Sequence, residues 1–220
     1  KDALRINFCF DPIMRNLSEK GEFCCGTGDE CFDTIAKFIK ATAEYKHVRV
    51  VNVAGALFSN AGSTIVEELG FTLAAAHEYL VKLMDRGLSI DEVARKIRFT
   101  FAVTSNYFLE MAKFRAARLL WANIVKAYNP EKNCSCKMRA HAVTSTWNQT
   151  VYDPYVNMLR GTTEAMSAAI AGVHSLEVRP FDYAFEAPTE FSKRIARNTQ
   201  LLLKHESHFD QVVDPAGGSY

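Results

Sequence analysis

Six cysteines and six histidines are the side chains with which this chain could hold a metal, close a disulfide or begin nucleophilic chemistry. The cysteines fall as a lone Cys9, the Cys24-Cys25 pair, Cys31 and Cys134-x-Cys136, with no C-x-x-C pair. Structural zinc recruits ligand pairs at about two-to-four-residue separations, so the spacing is a poor match, and no metal site is expected. Reduced, mostly buried thiols in an intracellular chain are the expectation instead. Gly26-Thr27-Gly28 precedes a helical pattern but lacks the third glycine and the strand of a dinucleotide fingerprint. His205 and His208 flank Glu206 at the end of a helical run, where a positive group suits the helix dipole.

The elements that would position these groups alternate in a regular way. Residues 4–10 (LRINFCF), 48–53 (VRVVNV), 98–103, 137–143 and 175–178 read as strands. Helices are expected over 29–45, 63–86, 90–96, 105–128, 154–171 and 189–205. Phe32, Ile35, Ala36 and Ile39 make one apolar stripe on the first of them. Gly87 closes the second, Ser89 caps the third, Asn129-Pro130 stops the fourth, and Asp153 with Pro154 should start the fifth. Five strand–helix units imply an α/β chain with a parallel sheet, too few for the eight-unit barrel of about 250 residues.

With 220 residues, 48% hydrophobic and 23% charged, the chain can bury one sizeable core. A net charge of +1 gives no electrostatic reason to expect a nucleic acid or an anionic membrane as partner. No apolar run reaches the ~18 residues of a membrane span, and residues 1–12 lack a signal-peptide pattern.

Five blocks carry a more specific signal: YFLEMAKFRAARLLWA (107–122), MRAHAVTS (138–145), DPYVNMLRGTTEAM (153–166), RIARNTQ (194–200) and VDPAGGSY (213–220). In this order and spacing they resemble the barrel domain of methylmalonyl-CoA mutases, which rearrange the carbon skeleton of a CoA thioester with adenosylcobalamin. The resemblance implies that residues 1–220 are the C-terminal portion of the substrate domain. The fold would be a partial (β/α)8 TIM-type barrel, about its last five β/α units, cut from a longer polypeptide. The cobalamin-binding domain, with its D-x-H-x-x-G loop, would lie outside it.

The resemblance also places the chemistry. Catalytic members end the strand at 48–53 in SGYHMQEAGA; here the match is AGALFSNAGS, so Ala56 replaces the tyrosine and Leu57 the thioester-binding histidine. Leucine cannot donate a hydrogen bond. Gly21 falls where an arginine would clamp the substrate carboxylate, with Arg15 and Lys20 nearby. Along the CoA arm an arginine becomes Lys96, a serine Arg98, a lysine Cys134 and a glutamine Val143, while His141 is kept. In the FDEA motif the acid becomes Tyr183. No catalytic residue is therefore expected; Lys96 and His141 are the remaining vestigial substrate-binding candidates. His141 falls at the end of a strand, where barrel sites gather, yet reads more readily as a structural histidine. Arg115, Arg118, Trp121, Arg139, Arg160, Arg194, Arg197 and Asn198 read as ion-paired or snorkelling scaffold residues on barrel helices.

The resemblance thus implies a non-catalytic small (β) subunit, cytoplasmic, paired with a large subunit that carries adenosylcobalamin and interconverts methylmalonyl-CoA and succinyl-CoA. No cofactor is expected on this stretch. Its two open sheet edges would promote self-association of the isolated piece. The alternatives are an active acyl-CoA mutase of shifted specificity, against which Leu57 counts, and a CoA-thioester-binding scaffold.

Overall fold

The computed structural model describes residues 4–18 and 28–218. Lys20, Gly21, Cys24, Cys25, Gly26 and Thr27 lie outside the described residues. In chain order the elements are β1 (Ile6–Phe10), α1 (Pro12–Ser18), α2 (Gly28–Ala41), β2 (Val48–Ala54), α3 (Ala56–Asn60), α4 (Ile65–Met84) and α5 (Ile90–Ala94). Then come β3 (Ile97–Val103), α6 (Tyr107–Lys126), a 3-10 turn (Asn133–Cys136), β4 (Ala140–Thr144), α7 (Val156–Ile170), β5 (Ser175–Glu177) and α8 (Glu190–His205).

The strands hydrogen-bond in the order β1-β2-β3-β4-β5. The pairs β1–β2, β2–β3 and β4–β5 are parallel. Between β3 and β4, Phe99 N donates to the Arg139 carbonyl and Ser145 N to the Val103 carbonyl, so these strands also ascend together. A parallel sheet in strictly sequential order needs every crossover to turn the same way. That is the rule of a (β/α)8 barrel, whereas a doubly wound sheet reverses its order. The fold is accordingly α/β, a partial barrel of five strands. No helix among the described residues is long and apolar enough to cross a membrane.

The chain divides into two compact units: Lys1–Leu57 with Leu69–Thr100 and Ala117–Arg139, and Phe58–Glu68 with Phe101–Ala116 and Ala140–Tyr220. In the first unit Val50, Val51 and Val53 of β2 and Ile97 and Phe99 of β3 are fully buried, and Trp121 packs edge-on against Phe99 at 4.8 Å. In the second, Phe101 and Phe114 meet edge-on at 5.8 Å, and Ala165, Val178, Ala196 and Leu203 form a smaller cluster.

Helix boundaries follow local chemistry. Ser89 Oγ accepts from Glu92 N, and the Glu92 carboxylate accepts from Ser89 N, closing a capping box. Thr189 caps α8 by accepting from Ser192 N, without a reciprocal partner, and Gly87 takes φ +77° at the end of α4. Three expectations need correction. The helix expected from 154 starts at Val156, and Tyr155 is its cap with no side-chain bond; Asp153 and Pro154 instead offer carbonyls to a preceding turn. The strand expected over 137–143 is shifted to Ala140–Thr144, because the residues before it close the 3-10 turn. The short helices α1 and α3 add to the expected set, each having too few residues to show a period in the sequence.

Candidate functional site

In the first unit, Asp11 directly follows β1 and ties three elements together. Its carboxylate accepts from Ala54 N at 2.7 Å, the Tyr79 hydroxyl at 2.7 Å and Met14 N at 3.3 Å. The Tyr79 oxygen accepts in turn from Ile13 N at 3.1 Å. Burial pushes the Asp11 carboxyl up to about 6, although all three donors pull it down. Burial and the neighbouring Asp11 charge hold the Tyr79 hydroxyl well above its usual range. Tyr79 is therefore a neutral donor that orients Asp11, and the pair fixes the C-terminal ends of β1 and β2.

A cavity of about 400 Å³ opens beside this anchor, lined by Cys9, Phe10, Asp11, Arg15, Cys31 and Leu57 among others. Here, at the end of a barrel strand, chemistry would be expected. Ala56 is buried, while Leu57 is 44% exposed and presents only carbon to the space. Of the three residues considered for a carboxylate clamp, Arg15 lines the cavity from the exposed last turn of α1; Lys20 and Gly21 lie outside the described residues.

Gly55 sets where this segment goes. A Cβ on Gly55 would lie 2.0 Å from Thr72 Oγ1 and 3.0 Å from its Cβ, and Thr72 is fully buried on α4. Only a glycine lets the chain leave β2 this close to α4. Gly55→Ala is expected to cost about 3 kcal/mol as an overpacked contact. Adding Thr72→Ala should recover part of that loss in a urea titration, since the 2.0 Å contact disappears.

The positions expected along a CoA arm have other occupations. Lys96 donates to the Thr42 carbonyl at 2.6 Å and the Tyr45 carbonyl at 3.0 Å, closing the C-terminal end of α2. Burial, followed by the charges of Arg49 and Arg95, lowers its ammonium to about 8. Arg98 lies on β3 and Cys134 is exposed in the 3-10 turn. Among the described cysteines Cys31 is buried, Cys136 half-buried, and Cys9 and Cys134 exposed, which corrects the expectation of mostly buried thiols.

In the second unit, His141 is the second residue of β4 rather than a strand end. Its register partner is Ser175, and that of Val143 is Glu177, so all four share one sheet face. His141 Nδ1 and Ser175 Oγ are 2.8 Å apart, and Nε2 is 3.9 Å from the Glu177 carboxylate. Val143 is buried and offers no polar atom. Tyr183 lays its ring over the Arg179 guanidinium, 4.6 Å from the centroid. Its neighbour Asp182 is buried and accepts from Thr189 N at 3.2 Å, which makes the FDYA run a brace for α8.

These donors do not suit a corrin. His141 is already engaged with Ser175 beside Glu177, and the cavity beside Leu57 is lined by no imidazole. No reaction step can be assigned to a cobalamin held by the described residues.

Scaffold readings hold for some residues and change for others. Arg115 pairs with Asp214 at 2.6 Å, joining two of the signature blocks. Arg160 donates to Asn157, and Arg194 stacks over Phe191 at 5.6 Å. Trp121 is fully buried, and Arg139 precedes a strand instead of lying on a helix.

The same block holds an ion cluster that a sequence reading passes over. Lys113 is within 2.6 Å of both Glu68 and Glu110 and donates to the Ala102 carbonyl at 2.7 Å. Glu68 also accepts from Ala102 N, and Glu110 from Thr104 N and Oγ1. All three side chains are essentially inaccessible to solvent. The available signal was the placement of Glu110 and Lys113 one turn apart on a long helix.

Over residues 11–220 the chain matches the family model described as Methylmalonyl-CoA mutase. It is 54% identical over 181 residues to the methylmalonyl-CoA mutase small subunit of Porphyromonas gingivalis, covering 82% of this chain and 29% of that protein. It is 37% identical over 220 residues to the small subunit of Streptomyces virginiae, covering 100% of this chain and 34% of that protein. With the large subunit of Streptomyces virginiae it shares 43% identity over 169 residues, covering 77% of this chain and 23% of that protein. The chain thus spans about a third or less of the length of these relatives.

Proposed function

This chain belongs to the methylmalonyl-CoA mutase family, and from that membership we propose that it is part of a non-catalytic small subunit. In this reading it supports a large subunit that binds adenosylcobalamin and interconverts methylmalonyl-CoA and succinyl-CoA. The observation that carries the reading is Leu57. It stands exposed at the C-terminal end of β2, beside a formed cavity, and has no hydrogen-bond donor for a thioester carbonyl.

Three further features support it. Lys96 serves the end of α2, Val143 is an apolar core residue, and Tyr183 covers Arg179 where catalytic members place an acid. The names of the Porphyromonas gingivalis and Streptomyces virginiae relatives favour a small-subunit assignment and a large-subunit partner. The vestigial CoA contacts are then limited to His141, whose ring is already held by Ser175.

Purification of the full-length protein from its source tests the partnership. It is expected to emerge with a mutase large subunit in one-to-one ratio, with the cobalamin travelling with the pair. Recovery of the protein free of any mutase partner, under conditions that keep the large subunit soluble, counts against the proposal.

A further inference from the structure

In the second unit the turns after α3, β3 and β4 enclose a cavity of about 340 Å³. Its lining includes Ser59 and Ser63 from the first turn, Ser105 and Asn106 from the second, and Trp147 and Asn148 from the third. The turns hold one another in place. Asn60 Oδ1 accepts from Thr146 N and Thr146 Oγ1, both at 3.1 Å, which fastens the first turn to the third. Trp147 N donates to Ser145 Oγ at 3.1 Å, and Gly62, at φ +100°, makes room for the indole. A Cβ on Gly62 would lie 2.9 Å from that ring.

Among the described residues no charged side chain lines this cavity. The acids that touch its walls stand behind them and are engaged. Thr64 N and Oγ1 donate to Glu67 at 2.8 Å, Thr104 Oγ1 donates to Glu110 at 2.6 Å, and Glu110 pairs with Lys113. Asn148 Nδ2 donates to Glu164 at 2.5 Å, and burial pushes that carboxyl up to about 8, so it is largely uncharged in neutral solution. Acids behind the wall with no cation in it disfavour an anion, and carboxylates already bonded have little to offer a cation. The groups that remain open are neutral. Ser63 Oγ and Asn148 Oδ1 are buried without a partner, while Ser105, Asn106 and the Trp147 side chain are exposed. Each unpartnered buried oxygen is a cost that a hydrogen-bonding ligand would remove.

We propose that this cavity binds an uncharged sugar or cyclic polyol, with Trp147 as the platform for one face of the ring and Ser63, Ser105, Asn106 and Asn148 bonding its hydroxyls. A sugar hydroxyl both donates and accepts, which matches serine hydroxyls and carboxamides, and the C–H face of the ring suits an indole. The volume is that of a small-ligand pocket. The site shares no residue with the cavity beside Leu57 and does not depend on the subunit role proposed above.

Ligand-observed NMR titrations of the full-length protein test the site, with D-glucose, D-ribose and myo-inositol as probes, each beside its monophosphate. At least one neutral probe is expected to bind with a Kd of about 1 mM or tighter. Its monophosphate should bind more weakly, because the added charge meets Glu67 and Glu110 behind the wall and no cation within it. Trp147→Ala should weaken the neutral probe about tenfold through loss of the platform. Ser105→Ala should weaken it about fivefold, as loss of one neutral hydrogen bond does. Trp147 is 63% exposed, so the melting temperature of Trp147→Ala should stay close to the parent's and lost binding cannot be mistaken for unfolding. The inference is overturned if no neutral probe binds at about 10 mM. It is equally overturned if the monophosphate binds more tightly than its parent sugar, or if neither variant weakens binding.

Discussion

Lys113→Met is expected to remove about 3–5 kcal/mol of stability, as loss of one partner from a buried ion cluster does. Methionine fills much of the same volume, so the effect isolates the charge. Without the ammonium, Glu68 and Glu110 face one another inside the second unit, and the Ala102 carbonyl loses its donor. Each carboxylate keeps its backbone donor, Ala102 N for Glu68 and Thr104 N for Glu110, but the Lys113 cation is gone. Burial already pushes the Glu68 carboxyl up, with Lys113 as the chief opposing influence.

The pH dependence distinguishes this cause from poor packing. In the variant the folded-state pKa of Glu68 rises further above its unfolded value. A raised pKa gives stability that is present below the unfolded value and lost as pH climbs through the folded one. The deficit of Lys113→Met should therefore shrink as pH is lowered from about 7 towards about 5. Combining it with Glu68→Gln and Glu110→Gln should recover part of the loss at neutral pH. Urea titrations at both pH values measure this, and a deficit that does not change with pH means the charge is not its cause. Against a typical domain stability of about 5–15 kcal/mol, such a loss is a large share of the total.

The alternation of strands and helices was legible because it rests on long periodic runs. The covered valines of β2 and the apolar stripe of α2 are both visible in the bare sequence. Ser89 and Gly87 were legible for local reasons, a cap and a positive φ that act within a few residues. Asp11 was not. Its partners, Ala54 and Tyr79, lie 43 and 68 residues away, and no short-range rule connects an aspartate after a strand to a tyrosine on a later helix.

The site around Leu57 was legible only through resemblance to a family. Composition gives no hint that a leucine stands where a donor would be needed. The exposure of its side chain beside a formed cavity is what gives that substitution chemical meaning.

The other large effect concerns catalysis. A single oriented donor at a developing charge is worth about 10²–10³ in rate, and in the proposed reading Leu57 takes the histidine position, Ala56 the tyrosine position and Tyr183 the acid position. Losses of this kind compound, so the activity expected of this chain's own pocket is below detection. Leu57→His alone should not restore it, because the tyrosine position still lacks its phenol and Lys96 remains turned to the end of α2. The most direct measurement is turnover of methylmalonyl-CoA by the full-length protein, purified free of any mutase large subunit and supplied with adenosylcobalamin. No succinyl-CoA above a no-protein control is predicted, with conversion appearing once the large subunit is added. Cofactor-dependent conversion by the isolated protein would contradict a non-catalytic role.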